Sequence, residues 1–199
     1  MGLNLEYESG QTPLDEEEKV GLKISSITTN GELNEFEQHN IEQAIFWTLG
    51  KKINEQKLFS EQFVKELHKK MFGEVWKWAG QFRKTEKNIG IESWKIPTEL
   101  KMLLDDVHFW ILHKTYSEDE IAIRFKHRIV SIHCFPNGNG RHSRLIADLI
   151  SEKIFNKKPY TWGQASNLSD ESNPRVMYLK ALKKADKGDF NDLIAFARS

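Results

Sequence analysis

From Asn34 onward, apolar residues recur three and four positions apart in one segment after another, and a chain patterned this way buries them by packing helix on helix. The first such segment carries Phe36, Ile41, Ala44, Ile45 and Leu49 and meets a stop signal at Gly50. Ser60 caps a second, with Phe63, Val64, Leu67 and Met71 as its stripe and Gly73 near its end. Beyond Pro97 the helical period returns as far as Leu112. Ser117 with Glu120 then forms a capping box for a helix striped by Ile121, Phe125, Ile129 and Ile132. Leu145, Ile146, Leu149 and Ile150 mark another helix, followed by a loop at Pro159, Trp162 and Gly163. Two closing helices are predicted near residues 174–184, with Met177, Tyr178, Ala181 and Leu182 inward, and near 189–197, capped by Asp189. No period repeats along the chain, which argues against a solenoid. The expectation is a mainly helical domain.

Two stretches depart from this pattern. Up to about Asn30 the chain is polar and acidic, and Thr12, Pro13 and Asp15 read as the opening of a short helix on an N-terminal arm. Between Trp76 and Pro97 the run WKWAGQFRKTEKNIGIESWKIP has short apolar pieces around Gly80 and Gly90, which predicts a hairpin or extended flap able to cover a groove.

At 199 residues the chain has the usual size of one domain, and 6 Trp with 12 Phe supply a substantial core. Lys plus Arg and Asp plus Glu both total 29, so no global field draws nucleic acid or anionic membrane, and any anion site has to be local. The basic residues form no long cluster, which makes nucleic acid an unattractive partner. With 1 Cys, Cys134, and no CxxC pair, neither an internal disulfide nor a zinc cluster is available, and a reducing cytoplasm fits. The start of the chain lacks a basic, then apolar, leader, and no apolar stretch reaches membrane-spanning length, so the expected location is cytoplasmic. The 7 His include no HExxH, and His108 and His113 read as ordinary helix residues. Tryptophans 76, 78 and 94 read mostly as packing groups.

The chemistry gathers in residues 133–144, HCFPNGNGRHSR, between two expected helices. Alternating Asn137, Gly138, Asn139 and Gly140 permit backbone geometries that can aim successive amides inward at a helix start, an anion-binding arrangement suited to phosphate. Arg141 and Arg144 lie three apart on the first turn, where the helix dipole disfavours positive charge. A polyanion between them and the loop amides accounts for both, and extension into solvent or pairing with surface carboxylates is the plainer alternative. His133, at the exit of the preceding helix, stands where it could take a proton from an attacking hydroxyl, although a helix C-terminus favours imidazolium and a structural histidine is the alternative.

This segment resembles the signature of the Fic family, HPFxxGNGRxxR with an acid before the first glycine, through His133, Phe135, Gly138, Asn139, Gly140, Arg141 and Arg144. The likeness extends over roughly residues 60–197, and the arrangement from Asn34 is similar to a class called mobile mystery protein B. The resemblance implies an all-α Fic-fold helical bundle with a small β-hairpin flap, residues 34–199 forming the domain and 1–33 an arm with a regulatory role. It implies a protein adenylyltransferase that uses ATP and magnesium to transfer AMP to a Ser, Thr or Tyr hydroxyl of a target protein. His133 and Arg144 would be catalytic, with His133 the general base. Gly138, Asn139, Gly140, Arg141 and Arg144 would hold the phosphates, and Phe135 would anchor the loop. Thr85, Asn88, Ile89, Gly90 and Ile91 of the flap would dock the target by strand-like pairing. The sequence departs from the family pattern at Cys134, where proline is usual, and at Asn137, where an acid helps hold magnesium; a neutral amide attracts the ion less. Thr28 with Glu32 approximates the inhibitory motif (S/T)xxxE(G/N) that pairs with the second motif arginine, with Leu33 in place of Gly or Asn; Glu35 is a fallback. A glutamate at a helix start is the alternative reading of Glu32, and an antitoxin-like regulator is a further partner left open. Two other functions stay open: a nucleotide-binding regulator with little turnover, and transfer of another nucleotide or of phosphate.

Overall fold

The computed structural model describes residues 12–163 and 174–199. Its helices run α1 (Glu16–Lys19), α2 (Asn30–Leu49), α3 (Glu55–Leu58), α4 (Glu61–Phe72), α5 (Ile96–His113), α6 (Glu118–Ile132), α7 (Asn139–Leu149), α8 (Pro174–Ala185) and α9 (Asn191–Arg198). The caps of α4 and α6 follow the sequence signals. Ser60 Oγ accepts the Phe63 amide and Ser117 Oγ accepts the Glu120 amide; at α9 the N-cap is Phe190 with no side-chain cap, and the expected cap Asp189, one residue earlier, accepts the Asn191 amide on Oδ1. α7 continues into a single π turn over Ile150–Ile154.

One core joins the helices. Phe63, Val64 and Leu67 of α4, Leu100 and Leu103 of α5, Ile121 and Phe125 of α6, and Ile146 of α7 are all buried. At about 25 cal/mol per Å² of apolar surface removed from water, each such side chain stabilises the fold by ~2 kcal/mol before entropy is counted. α2 is turned from the face expected of it. Phe36, Ile45 and Leu49 are exposed, while Leu33, Glu37, Asn40, Ile41, Ala44 and Thr48 face inward. The cause is polar: Asn40 bonds the Lys70 carbonyl and the Glu74 amide, and Glu37 accepts from the Trp76 indole, so that face is fixed against α4 and residues 74–76 beyond its end. Met177 on α8 is likewise exposed, whereas Ala181 is buried.

The flap is a correction. Residues 80–92 are irregular, Ser93–Lys95 form a 3₁₀ turn, and no strand occurs among the described residues beyond one antiparallel bridge between Leu22 and Trp76. Arg83 explains the missing hairpin. Its guanidinium takes the carbonyls of Thr85 and Ile91, which cross-strand amides would otherwise claim. The short N-terminal helix opens at Asp15 rather than Thr12, with Glu18 Oε2 accepting the Asp15 amide across its single turn. Residues 12–27 are packed onto the bundle, with Leu14 and Ile27 in the core, and position 33 falls inside α2.

Candidate active site

The loop between α6 and α7 is held from several sides. His133 ends α6 in the left-handed region at φ 58°, its amide reaching the Ile129 carbonyl at 3.3 Å. Phe135 is buried, and its ring stacks on His68 with centroids 3.7 Å apart. Asn139 folds back on it, accepting the Phe135 amide at 2.9 Å and donating to the Phe135 carbonyl at 2.7 Å. Its side chain is therefore a brace. His68 is fully buried, accepts the Gly80 amide on Nδ1 at 3.0 Å, and so carries its proton on Nε2, which donates to the Asn137 carbonyl at 3.0 Å. Burial foremost, then the neighbouring His142 and Arg141, holds its pKa well below the ordinary value. Gly138 turns at φ 77°, and a Cβ there would lie 2.6 Å from the Phe72 ring.

This bracing leaves the start of α7 open. No side chain caps the helix, so the amides of Asn139, Gly140 and Arg141 head it without an intrahelical partner, and a Cβ on Gly140 would meet nothing within 4 Å. Arg141 is committed in part: its Nη1 pairs with Glu37 Oε2 at 2.6 Å, and its guanidinium lies 4.9 Å from the Phe72 ring centroid. Glu37 is buried and its other oxygen accepts the Trp76 indole N–H at 2.6 Å. Sequence reading did not single out Glu37; its burial in a helix of weak amphipathic pattern is the only signal, and that needs the fold. Arg144 has no ion pair among the described residues. Its charge adds to burial in pulling the pKa of Lys126 down to about 7, and Lys126 donates to the Tyr178 hydroxyl. Arg144 also acts on the Asp148 carboxyl one turn further along α7, opposing the rise that burial gives its pKa.

His133 is buried, and among the described residues neither ring nitrogen has a partner within hydrogen-bond geometry, although the Val130 backbone lies close enough to pull its pKa up slightly. Burial, then the charges of Arg83 and Lys87, lower its pKa to about 4, so it is neutral at pH 7 and can accept a proton. This environment overrides the helix dipole that favours imidazolium. The flap lies over it. A Cβ on Gly90, at φ 98°, would come within 2.6 Å of His133 Cβ, and Arg83 Nε donates to the His133 carbonyl at 2.7 Å. The Arg83 amide bonds the Cys134 carbonyl at 2.9 Å. The Cys134 thiol is buried, with its pKa pushed up to about 12, and offers no nucleophile. Of the other flap residues, Thr85 and Ile91 are half-buried, and Asn88 and Ile89 are exposed.

Asn137 is engaged on both sides. Its Oδ1 accepts the Gly138 amide at 2.6 Å, and its Nδ2 donates to the Thr12 carbonyl at 3.2 Å. Among the described residues no group of three or more His, Cys, Asp or Glu could hold a metal ion. The described residues by themselves do not fit magnesium: the loop brings no carboxylate, and its Asn137 side-chain oxygen is neutral and already in use. Among the described residues Glu32 makes no ion pair with either motif arginine. Its carboxylate accepts the amides of Thr28 at 2.8 Å and Thr29 at 3.1 Å, the Thr28 amide foremost in lowering its pKa, and completes the capping box of α2. Glu35 is exposed and lines a surface groove of about 560 Å³ together with Asn34, Gln38, His39, Glu42 and Arg141.

The family model described as Fic/DOC family matches residues 58–151. Solved structures share the fold. The N-terminal FIC domain of Bep8, an effector from Bartonella sp. 1-1C, is 14% identical with a TM-score of 0.67, over 90% of this chain and 90% of that one. BepC from Bartonella tribocorum, with bound AMPPNP, is 17% identical at TM-score 0.63, over 92% and 97% of the two chains. Fic-1 from C. elegans is 22% identical at TM-score 0.62, covering 80% of this chain, and the match spans 46% of the Fic-1 chain. No curated protein sequence matches. No described helix is long and apolar enough to cross a membrane.

Proposed function

We propose that this chain, a Fic/DOC family member through residues 58–151, transfers AMP from ATP to a Ser, Thr or Tyr hydroxyl of a protein. The observation that carries the reading is His133, a buried, neutral imidazole whose ring nitrogens have no partner within hydrogen-bond geometry among the described residues, next to an uncapped helix start and to Arg144, which makes no ion pair among those residues. A buried polar group left unpaired costs ~1–3 kcal/mol, a cost that an incoming hydroxyl and nucleotide would relieve.

In this reading the amides of Asn139, Gly140 and Arg141, with Arg144, hold the phosphates, and Gly138 shapes the turn that aims them. The acceptor oxygen attacks the α-phosphorus as the bond to pyrophosphate breaks, and His133 takes the hydroxyl proton. Negative charge gathers on the leaving pyrophosphate, where Arg144 and then Arg141, if it turns from Glu37, would stabilise it. Magnesium would arrive with the triphosphate, whose oxygens would be most of its ligands, and Asn137 Oδ1 could join them only by releasing the Gly138 amide. Thr85, Asn88, Ile89, Gly90 and Ile91 would meet the target's backbone beside His133. AMPPNP in the Bartonella tribocorum structure supports a nucleotide for this fold. The protein target, an antitoxin-like regulator and a cytoplasmic setting belong to the same proposal.

One observation favours a second reading. Asn137 is neutral and engaged by Thr12 and Gly138, which suits a nucleotide-binding regulator with slow turnover. Incubation with ATP labelled at the α or the γ phosphate separates the cases. α-Label on protein, absent with His133→Ala, supports adenylylation. γ-Label means phosphate transfer, and binding with neither label means a regulator.

A further inference from the structure

Residues 12–19 lie across the mouth of the site. At one end the Thr12 carbonyl accepts Asn137 Nδ2 of the phosphate loop at 3.2 Å. At the other, Lys87 of the flap pairs with Asp15 Oδ2 at 2.8 Å and Glu18 Oε2 at 2.5 Å, and Thr85 Oγ donates to Glu18 Oε1 at 3.0 Å. The Trp78 indole holds the Glu18 carbonyl at 3.0 Å, and Leu14 and Thr12 are both buried. One short segment therefore bridges the two walls that flank His133.

Lys87 is the pivot. Its side chain is only 3% exposed although it sits on a loop, and its charge helps keep His133 neutral. A lysine covered this way is stable only while its two carboxylates are in place; without them, desolvation drives it back to water and the flap with it. Asn137 cannot turn its amide to a ligand while it donates to Thr12. The same segment thus fixes both the flap and the residue that departs from the family pattern.

We infer that residues 12–19 are a removable strap that shuts this site, latched by Lys87 to Asp15 and Glu18, and that a protein acceptor reaches His133 only after the latch opens. The strap is separate from the Thr28–Glu32 turn, whose carboxylate is occupied in capping α2. The inference rests on the transferase reading for its consequence and on the contacts above for its existence.

The test measures His133 itself, in the full chain. Diethylpyrocarbonate acylates accessible neutral imidazoles, and mass spectrometry reads the modification rate at residue 133. Lys87→Met, and separately Asp15→Asn with Glu18→Gln, are expected to raise that rate about fivefold or more, while Lys87→Arg restores protection. Hydrogen exchange at residues 12–19 in the unsubstituted chain is the second measurement, expected to run ahead of exchange in α4 and α6, because a strap opens without global unfolding. An unchanged His133 rate in both folded variants, or strap exchange as slow as that of the core helices, overturns the strap. If the rate rises and no α-label ever reaches protein, the strap stands and the transferase reading falls. If the label transfers at the same rate in every variant while His133 stays equally protected, the transferase stands and the strap falls.

Discussion

His68 holds the loop that an anion would meet, and it does so with both ring nitrogens. His68→Leu leaves the Gly80 amide and the Asn137 carbonyl without their partner in a buried place, so we expect a loss of ~2–4 kcal/mol, measured by chemical denaturation. Gly138→Ala should cost ~1–3 kcal/mol, because both its φ and the Phe72 ring 2.6 Å from the added Cβ oppose it. Asn137→Asp acts in two directions. It adds the carboxylate that magnesium prefers and removes the donor to Thr12, so it should lower the magnesium concentration needed for half-maximal nucleotide binding. An unchanged requirement removes Asn137 from the metal's surroundings. At this scale the turn at Gly138 and the position of His133 at the exit of α6 were legible, since turn geometry is written in neighbouring residues. The sequence could not show that Asn139 turns its side chain to Phe135 and leaves only its backbone to a ligand, nor that Arg141 meets Glu37 rather than solvent, because those partners come from the folded loop and from another helix.

Among the elements, α4 and α6 were legible because their stripes match the helical period and their caps are serines with a bonded amide three residues on. α2 was not. Glu37, Asn40 and Thr48 point inward where Phe36, Ile45 and Leu49 were expected, so polar anchors rather than apolar residues set its rotation. The hairpin failed for a related reason: glycines and short apolar pieces can mark a loop organised by one side chain as well as a pair of strands. Arg83 is that side chain. Arg83→Lys keeps the charge but cannot reach the carbonyls of Thr85, Ile91 and His133 together, so the flap should loosen. Faster hydrogen exchange at residues 85–91, with α6 unchanged, is the expected result; equal exchange in the flap would show that the guanidinium does not organise it.

For the molecule as a whole, the buried histidines set its behaviour toward acid. His68, His133 and His142 are neutral in the fold, the last two with pKa values of about 4, and an unfolded histidine titrates near 6.5. Between those values the unfolded chain binds protons that the folded chain refuses, so stability falls as pH falls from about 6.5 toward 4, by ~1.4 kcal/mol per pH unit for each histidine. Asp148 works against this trend, since burial pushes its pKa up to about 7 and the folded carboxyl keeps a proton that the unfolded one releases. Three imidazoles outweigh one carboxyl. Denaturation midpoints at pH 7 and pH 5 should differ in that sense, and equal midpoints would mean these rings are solvated. The core was legible at this scale from helical periodicity and bulky residues alone. The packing of residues 12–27 onto it was not, because an acidic, turn-rich composition reads the same for a free arm and for a strap held by ion pairs.

The central claim is that the start of α7 and Arg144 grip the phosphates of a nucleotide beside a neutral His133. Its most direct test is a titration of isotope-labelled protein with AMPPNP and magnesium, followed at the backbone amides of residues 138–141. Those amides should shift together on binding, and Arg144→Ala should weaken the affinity by roughly ten- to a hundredfold, as expected for losing a charge-assisted phosphate contact. Amides that stay where they are at saturating nucleotide, or an affinity indifferent to Arg144, would contradict the account.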